Sequence, residues 1–307
     1  MSFVYETQRY KSFNEYSTLV MNGQTDLLQR RLEFAHPVDS AVIGILESAS
    51  VKSVVNKAVE TLVSTDFGMM LSTGITVEPK SFPQAYASLS HCCKVLGIAI
   101  PHTIITNEIS GLNAMTAGTD DFSFIAISNL IAKLLPMEEQ VFIIGHECGH
   151  IALGHVVYHT MGHFIGQLGS LIPVIGPLVA STISFPLNAW SRCSEITADR
   201  AGFLCSGDLR SSQRALLRLI AGFTDISKVD IDEYIEQSLL SLDNHNIGSY
   251  NQFFQTHPLI PKRIKALEYF AKSEMYYSLT GKEKLENKTL YSNEHLNSLV
   301  SELLKVL

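Results

Sequence analysis

Charge is scarce in this 307-residue sequence: 17% of residues are charged against 46% hydrophobic, and the net charge is −7. There is no basic block, which excludes nucleic acid as a partner. The five cysteines (92, 93, 148, 193, 205) are odd in number and follow no framework spacing, so they do not describe a disulfide scaffold. The N-terminus has no basic-then-apolar signal pattern. Together these absences predict a cytoplasmic protein with free thiols. Repeats, low-complexity tracts and an obvious linker are also missing. The sequence therefore reads as one domain over 1–307, with an N-terminal helical region (1–98), a core (99–275) and a C-terminal helical tail (276–307).

Charge is absent altogether between Phe164 and Trp190, a stretch that also holds no histidine but includes Pro173, Pro177 and Pro186. Two membrane spans need about 40 residues and do not fit there. The segment reads as a lid over a cleft or, in the alternative, as a peripheral contact with a membrane through 164–190.

Apolar periodicity predicts helices over Asp39–Ser64, Pro83–Val95 (with Gly97 as its stop), Asn129–Leu135, Asn188–Leu204, Leu209–Phe223, Ile231–Leu242, Pro261–Ser278 and Asn293–Val306. Between them the period shifts to two. Ala99–Thr106, Leu112–Gly118 and Phe122–Ser128 read as strands, with a turn at Thr119–Asp121 and a loop or short strand over Gly74–Pro79. The predicted class is α+β and mostly helical. Adjacent Cys92 and Cys93 next to His91 read as core packing, since neighbours on a helix point about 100° apart.

The small sheet leads into Val141-Phe-Ile-Ile-Gly-His146-Glu147-Cys148-Gly149-His150. Pro136 reads as a first helical position, and Glu138 and Glu139 put negative charge in the first turn, where the helix dipole favours it. Val141, Ile143 and Ile144 make the helix apolar nearly all round, which predicts burial. Histidines four apart on a helix point at a common spot. Imidazole suits zinc, whose catalytic sites use three protein ligands and keep a fourth position for water. Glu147 can take a proton from that water without filling the coordination shell. Gly145 and Gly149 weaken the helix by about 1 kcal/mol each, which predicts close approach of a neighbouring element.

A third ligand is required. A metzincin would place glycine three residues and histidine six residues after His150, but Leu153 and Val156 stand there. His155, His159 and His163 form a row at spacing four that reads as solvent-facing or lining the cleft rim. Glu195 and Asp199 lie one turn apart, with Ala198 and Gly202 beside them. On that helix Glu195 reads as a zinc ligand and Asp199 as the acceptor for the free ring nitrogen of a ligand histidine. The alternative is a surface acid pair, which would be mildly self-repulsive.

The order of Asn113-Ala114, His146-Glu147-x-x-His150, Glu195-x-x-Ala198-Asp199 and Thr256-His257-Pro258 with Arg263 resembles the type I CAAX prenyl endopeptidase and HtpX-like family of zinc metallopeptidases. The resemblance covers roughly residues 85 to 270. It implies a gluzincin-type metallopeptidase domain with a small sheet beside the active-site helix. It further implies one zinc per chain on His146, His150 and Glu195, with Glu147 as general base. The strand around Asn113 and Ala114 would pair with an extended substrate, and His257 would stand near the oxyanion. HtpX-like members carry transmembrane helices before the zinc motif, whereas nothing before residue 141 here is long and apolar enough to span.

The expected function is hydrolysis of peptide bonds in protein or peptide substrates by a zinc metalloendopeptidase. The rivals are a catalytically silent member that binds clients or a membrane partner, and a zinc hydrolase of a non-peptide substrate.

Overall fold

The computed structural model describes residues 33–39, 68, 70, 72–118, 123–160, 176–222, 225–244, 259–283 and 289–304, with only the backbone described for 176–189, 243 and 244. The predicted Asp39–Ser64 helix beyond its first residue, the Thr119–Asp121 turn, His163 and His257 lie outside the described residues. The elements are β1 (Gly74–Thr76), α1 (Pro83–Leu96), β2 (His102–Thr106), β3 (Ala114–Gly118), β4 (Ser123–Ser128), α2 (Asn129–Leu134) and α3 (Met137–Ala152). They continue as α4 (Gly176–Ser206), α5 (Leu209–Ala221), α6 (Ile231–Asn244), α7 (Ile260–Ala271), α8 (Glu274–Thr280) and α9 (Asn293–Leu304). The fold is mostly helical with one small sheet, as predicted.

The four strands run in the order β1-β2-β4-β3. β2 and β4 are parallel; the β1–β2 and β3–β4 pairs are antiparallel. β4 sits inside the sheet and is buried from Phe124 to Ser128, whereas β3 forms an edge. Ser128 ends β4 and caps α2 by accepting a hydrogen bond from the Leu130 amide. That cap turns the chain from the sheet into the helical layer.

Several boundaries differ from the sequence reading. α1 stops where predicted, because Gly97 takes the left-handed conformation (φ 63°) that closes a helix. Pro136 stands at the cap of α3, not inside its first turn: its φ of −55° suits a helix, but its ψ of 153° is extended. The predicted Pro261–Ser278 helix is two helices. Ser273 breaks it, accepting from the Tyr276 amide as the cap of α8 and bridging to Tyr291. α4 begins at Gly176, not at Asn188. Pro177 falls in its first turn, where a missing N–H costs nothing, and the backbone stays helical through Pro186 despite the one hydrogen bond lost there.

α3 and α4 form the centre of the molecule. Phe142, Ile143, Ile144 and Cys148 on α3 and Ile196, Ala198 and Ala201 on α4 are all buried. The predicted close approach is present. A Cβ at Gly149 would stand 2.7 Å from the Ala201 Cβ, and one at Gly202 would stand 2.6 Å from the Phe142 carbonyl oxygen. Those separations leave no room for a methyl group, so glycine is required on both sides of the seam. Cys92 and Cys93 pack in the core; all five thiols are buried and free. Among the described residues no helix is long and apolar enough to cross a membrane.

Candidate metal centre

The helical spacing stacks His146 above His150, and their Nε2 atoms are 3.2 Å apart. Glu195 arrives from α4 with one oxygen 3.5 Å from His146 Nε2 and the other 3.4 Å from His150 Nε2. Tetrahedral ligands bound at zinc–ligand distances of 2.0–2.1 Å stand about 3.3 Å from one another, so the three donors suit one ion. All three side chains are buried. Glu147 points toward the sheet, where Thr116 of β3 donates to its Oε2 at 2.5 Å.

Behind this face, His146 Nδ1 donates to Asp199 Oδ1 at 3.0 Å. Asp199 is gripped in turn by Arg263 of α7, whose Nε and Nη2 donate at 2.8 and 2.6 Å. Arg263 Nη1 also lies 3.1 Å from Glu195. One buried guanidinium thus offsets two buried carboxylates, whose desolvation would otherwise favour their neutral forms.

The electrostatics follow from these neighbours. Burial would raise the Asp199 carboxyl, but Arg263 outweighs it and holds Asp199 below the usual carboxylate range. Burial also works against protonation of His146, yet Glu195 and Asp199 leave its pKa above the ordinary imidazole value. For His150 burial prevails and the pKa falls, which favours the neutral ring.

His146, Glu147, His150, Glu195 and Asp199 therefore converge. Asn113 and Ala114 lie at the start of β3, the strand that delivers Thr116; Asn113 Oδ1 accepts from the Ala114 amide at 2.9 Å. The solvent-facing reading of His155 is overturned. α3 ends at Ala152, Gly154 turns the chain at φ 73°, and His155 folds back into the interior with no exposed surface. His159 is half-buried and donates to or accepts from Ser194 Oγ at 2.7 Å. The helical phase used to place that row ends at the glycine. Thr116 had no signal of its own in the sequence, and Arg263 was legible only as part of a motif.

Two imidazoles and a carboxylate on two tightly packed helices, with a glutamate beside them and an edge strand across from it, are the layout of a metallopeptidase. The chain belongs to peptidase family M48, whose model matches residues 79–271, and it is a metalloprotease. It is 24% identical over 257 residues to the plastoglobule-localized metallopeptidase 48 of Arabidopsis thaliana chloroplasts, covering 80% of this chain and 74% of that protein. It is 22% identical over 282 residues to an HtpX protease homolog of Gemmatimonas aurantiaca, covering 82% and 97%. A further HtpX homolog, from Ralstonia nicotianae, is 23% identical over 228 residues, covering 65% and 78%. No solved structure matches the chain.

Proposed function

We propose that the protein is a zinc endopeptidase in which His146, His150 and Glu195 hold the metal and Glu147 is the general base. The observation that carries this reading is the meeting of two imidazole Nε2 atoms, 3.2 Å apart, with the Glu195 carboxylate, one oxygen 3.5 Å from the first and the other 3.4 Å from the second, with Glu147 on the same helix as the histidines. When bound, zinc supplies Lewis acidity, polarising a scissile carbonyl and acidifying water. Glu147 accepts the proton of the attacking water and returns it to the leaving amine. Thr116, hydrogen-bonded to Glu147 Oε2, orients the carboxylate while it waits.

β3 is the proposed platform for the substrate. It is an edge of the sheet and carries Thr116 to the glutamate, so an extended peptide paired along it would bring its main chain past the base. Asn113 and Ala114 open that platform. His257 is proposed as the oxyanion donor; it lies two residues before Leu259, the cap of the helix that brings in Arg263. The five free, buried thiols support a reducing compartment, the cytoplasm.

The test is a pair of substitutions assayed for metal content and casein hydrolysis. Glu147→Gln keeps zinc and the fold but loses hydrolysis, because only the base is gone. Glu195→Ala loses the metal. A Glu147→Gln protein that cleaves casein like the wild type would refute the mechanism, and full zinc occupancy in Glu195→Ala would refute the ligand set.

A further inference from the structure

A second row of polar groups lies behind His150. Its Nδ1, on the ring edge away from His146 and Glu195, stands 3.0 Å from the Nδ1 of His155. At that distance one nitrogen carries a proton and the other offers its lone pair. His155 is wholly buried, and its Nε2 is 3.0 Å from Asp39 Oδ2. That contact lies off the axis of a straight hydrogen bond, and neither atom has another hydrogen-bond partner among the described residues. The other oxygen of Asp39 accepts from the indole N–H of Trp190 at 2.8 Å.

Asp39 belongs to the short segment 33–39, far from the metal helices in sequence but pinned to α4. The His36 amide donates to Thr197 Oγ1 at 3.0 Å, and Arg200 donates to the Phe34 carbonyl at 2.9 Å. The carboxylate is therefore a fixed point, and an ionised carboxylate can only accept. It calls for the proton on His155 Nε2. That leaves the lone pair on His155 Nδ1, which calls for the proton on His150 Nδ1. The lone pair of His150 is then on Nε2, facing His146 and Glu195. One carboxylate thus sets two tautomers in sequence.

We propose that Asp39 and His155 are positioning residues for His150, locking it in the Nδ1–H tautomer whose Nε2 ligates the metal. The proposal rests on His150 being a ligand. The two ligand histidines are then held by parallel devices: Asp199 bonds His146 directly, and Asp39 reaches His150 through one imidazole. Carboxylate-backed histidines of this kind gain basicity and fixed orientation.

The rival is a second metal site, since the donor atoms of His150, His155 and His159 lie within 4.8 Å of one another. Such a site would need His150 stripped of both protons and shared between two ions. The single proton between the two Nδ1 atoms satisfies both without an added ion, and His159 is already engaged with Ser194.

The experiment measures zinc affinity of the full chain by chelator competition, metal stoichiometry, and the visible spectrum of the cobalt(II)-substituted protein. Asp39→Asn keeps shape but offers one acceptor oxygen where Trp190 and His155 need two. His155→Phe removes the relay, while His155→Gln retains an acceptor on one side and a donor on the other. Asp39→Asn and His155→Phe each weaken zinc about 10–100-fold and alter the cobalt bands, with one ion per chain still bound at saturation. His155→Gln recovers part of the loss, and Ile235→Ala, a cavity variant on α6, lowers the melting temperature without changing affinity or spectrum. Where His155→Phe does not fold, Asp39→Asn and His155→Gln carry the comparison. Wild-type affinity and spectrum in Asp39→Asn overturn the relay, provided that His150→Ala loses zinc. If His150→Ala binds zinc normally, the ligand reading itself fails and the relay falls with it. Two ions in the wild type, one of them lost with His155, would overturn the relay in favour of the second site.

Discussion

Arg263 is the residue on which the charge balance of the centre depends. Its guanidinium contacts both Glu195 and Asp199 directly. Removing one member of a buried charge cluster typically costs about 3–5 kcal/mol, because the remaining charges stay buried and unpaired. Arg263→Met is therefore expected to melt far below the wild type when stripped of metal. On the proposed ligand set, zinc would bring a cation beside Glu195 and should restore a larger share of that loss than it adds to the wild type. Thermal melts with and without chelator measure both differences, and equal zinc increments in the two proteins would contradict this account. At this scale the sequence was informative where one helix holds both partners. His146, Glu147 and His150 follow from spacing alone, and Glu195 with Asp199 from spacing on a second helix. Asp39, Thr116 and His155 did not, because their partners lie on other elements and a glycine resets the helical phase before His155.

The element that matters most is the pair α3–α4. The proposed ligand set requires the two backbones to come close enough for side chains of moderate length to share one ion, and Gly149 opposite Ala201 sets that distance. Gly149→Ala brings a methyl group to 2.7 Å from the Ala201 Cβ. Overpacking of this kind costs about 1–3 kcal/mol, more than the roughly 1 kcal/mol of helix propensity that alanine returns. The variant should be less stable and bind zinc more weakly, as Glu195 is pushed away from the histidines. Adding Ala201→Gly should recover most of both losses, because it vacates the clashing position. Additive losses in the double variant would place the strain elsewhere. Close approach was legible from the small residues on both helices. The early start of α4 was not: the predicted helix begins at Asn188, whereas Pro177 is harmless in a first turn and Pro186 is tolerated further along. Nor was the break at Ser273, which caps α8 and also bridges to Tyr291.

Across the whole molecule, distant stretches of chain meet around His36. Its amide donates to Thr197 on α4, its Nδ1 accepts from the Val38 amide, and its Nε2 faces Ser301 on α9. Burial, reinforced by the Arg200 charge, pushes its pKa from 6.5 to about 4. The folded protein therefore keeps this ring neutral while the unfolded chain protonates it near 6.5. Between those values the unfolded state binds more protons, so stability falls as the pH drops from about 6.5 to about 4. A shift of this size corresponds to roughly 3 kcal/mol at the acid end. Urea unfolding of the metal-free protein at several pH values should show a shallower acid decline for His36→Gln than for the wild type. Parallel declines would assign the acid sensitivity to other groups.

β3 has a consequence for what the enzyme can cut. The strand is five residues long, and its last amide, that of Gly118, is already taken by Thr160 Oγ1 at 3.3 Å. A guest chain laid along its open edge finds pairing for only a few residues, and it must surrender its own hydrogen bonds over that length to enter. A helix or a paired strand in a folded protein cannot do so without local melting, whereas a frayed end, a loose loop or an unfolded chain can. On the proposed binding mode, selection turns on how readily a stretch of a substrate comes undone, with its amino-acid sequence a secondary matter.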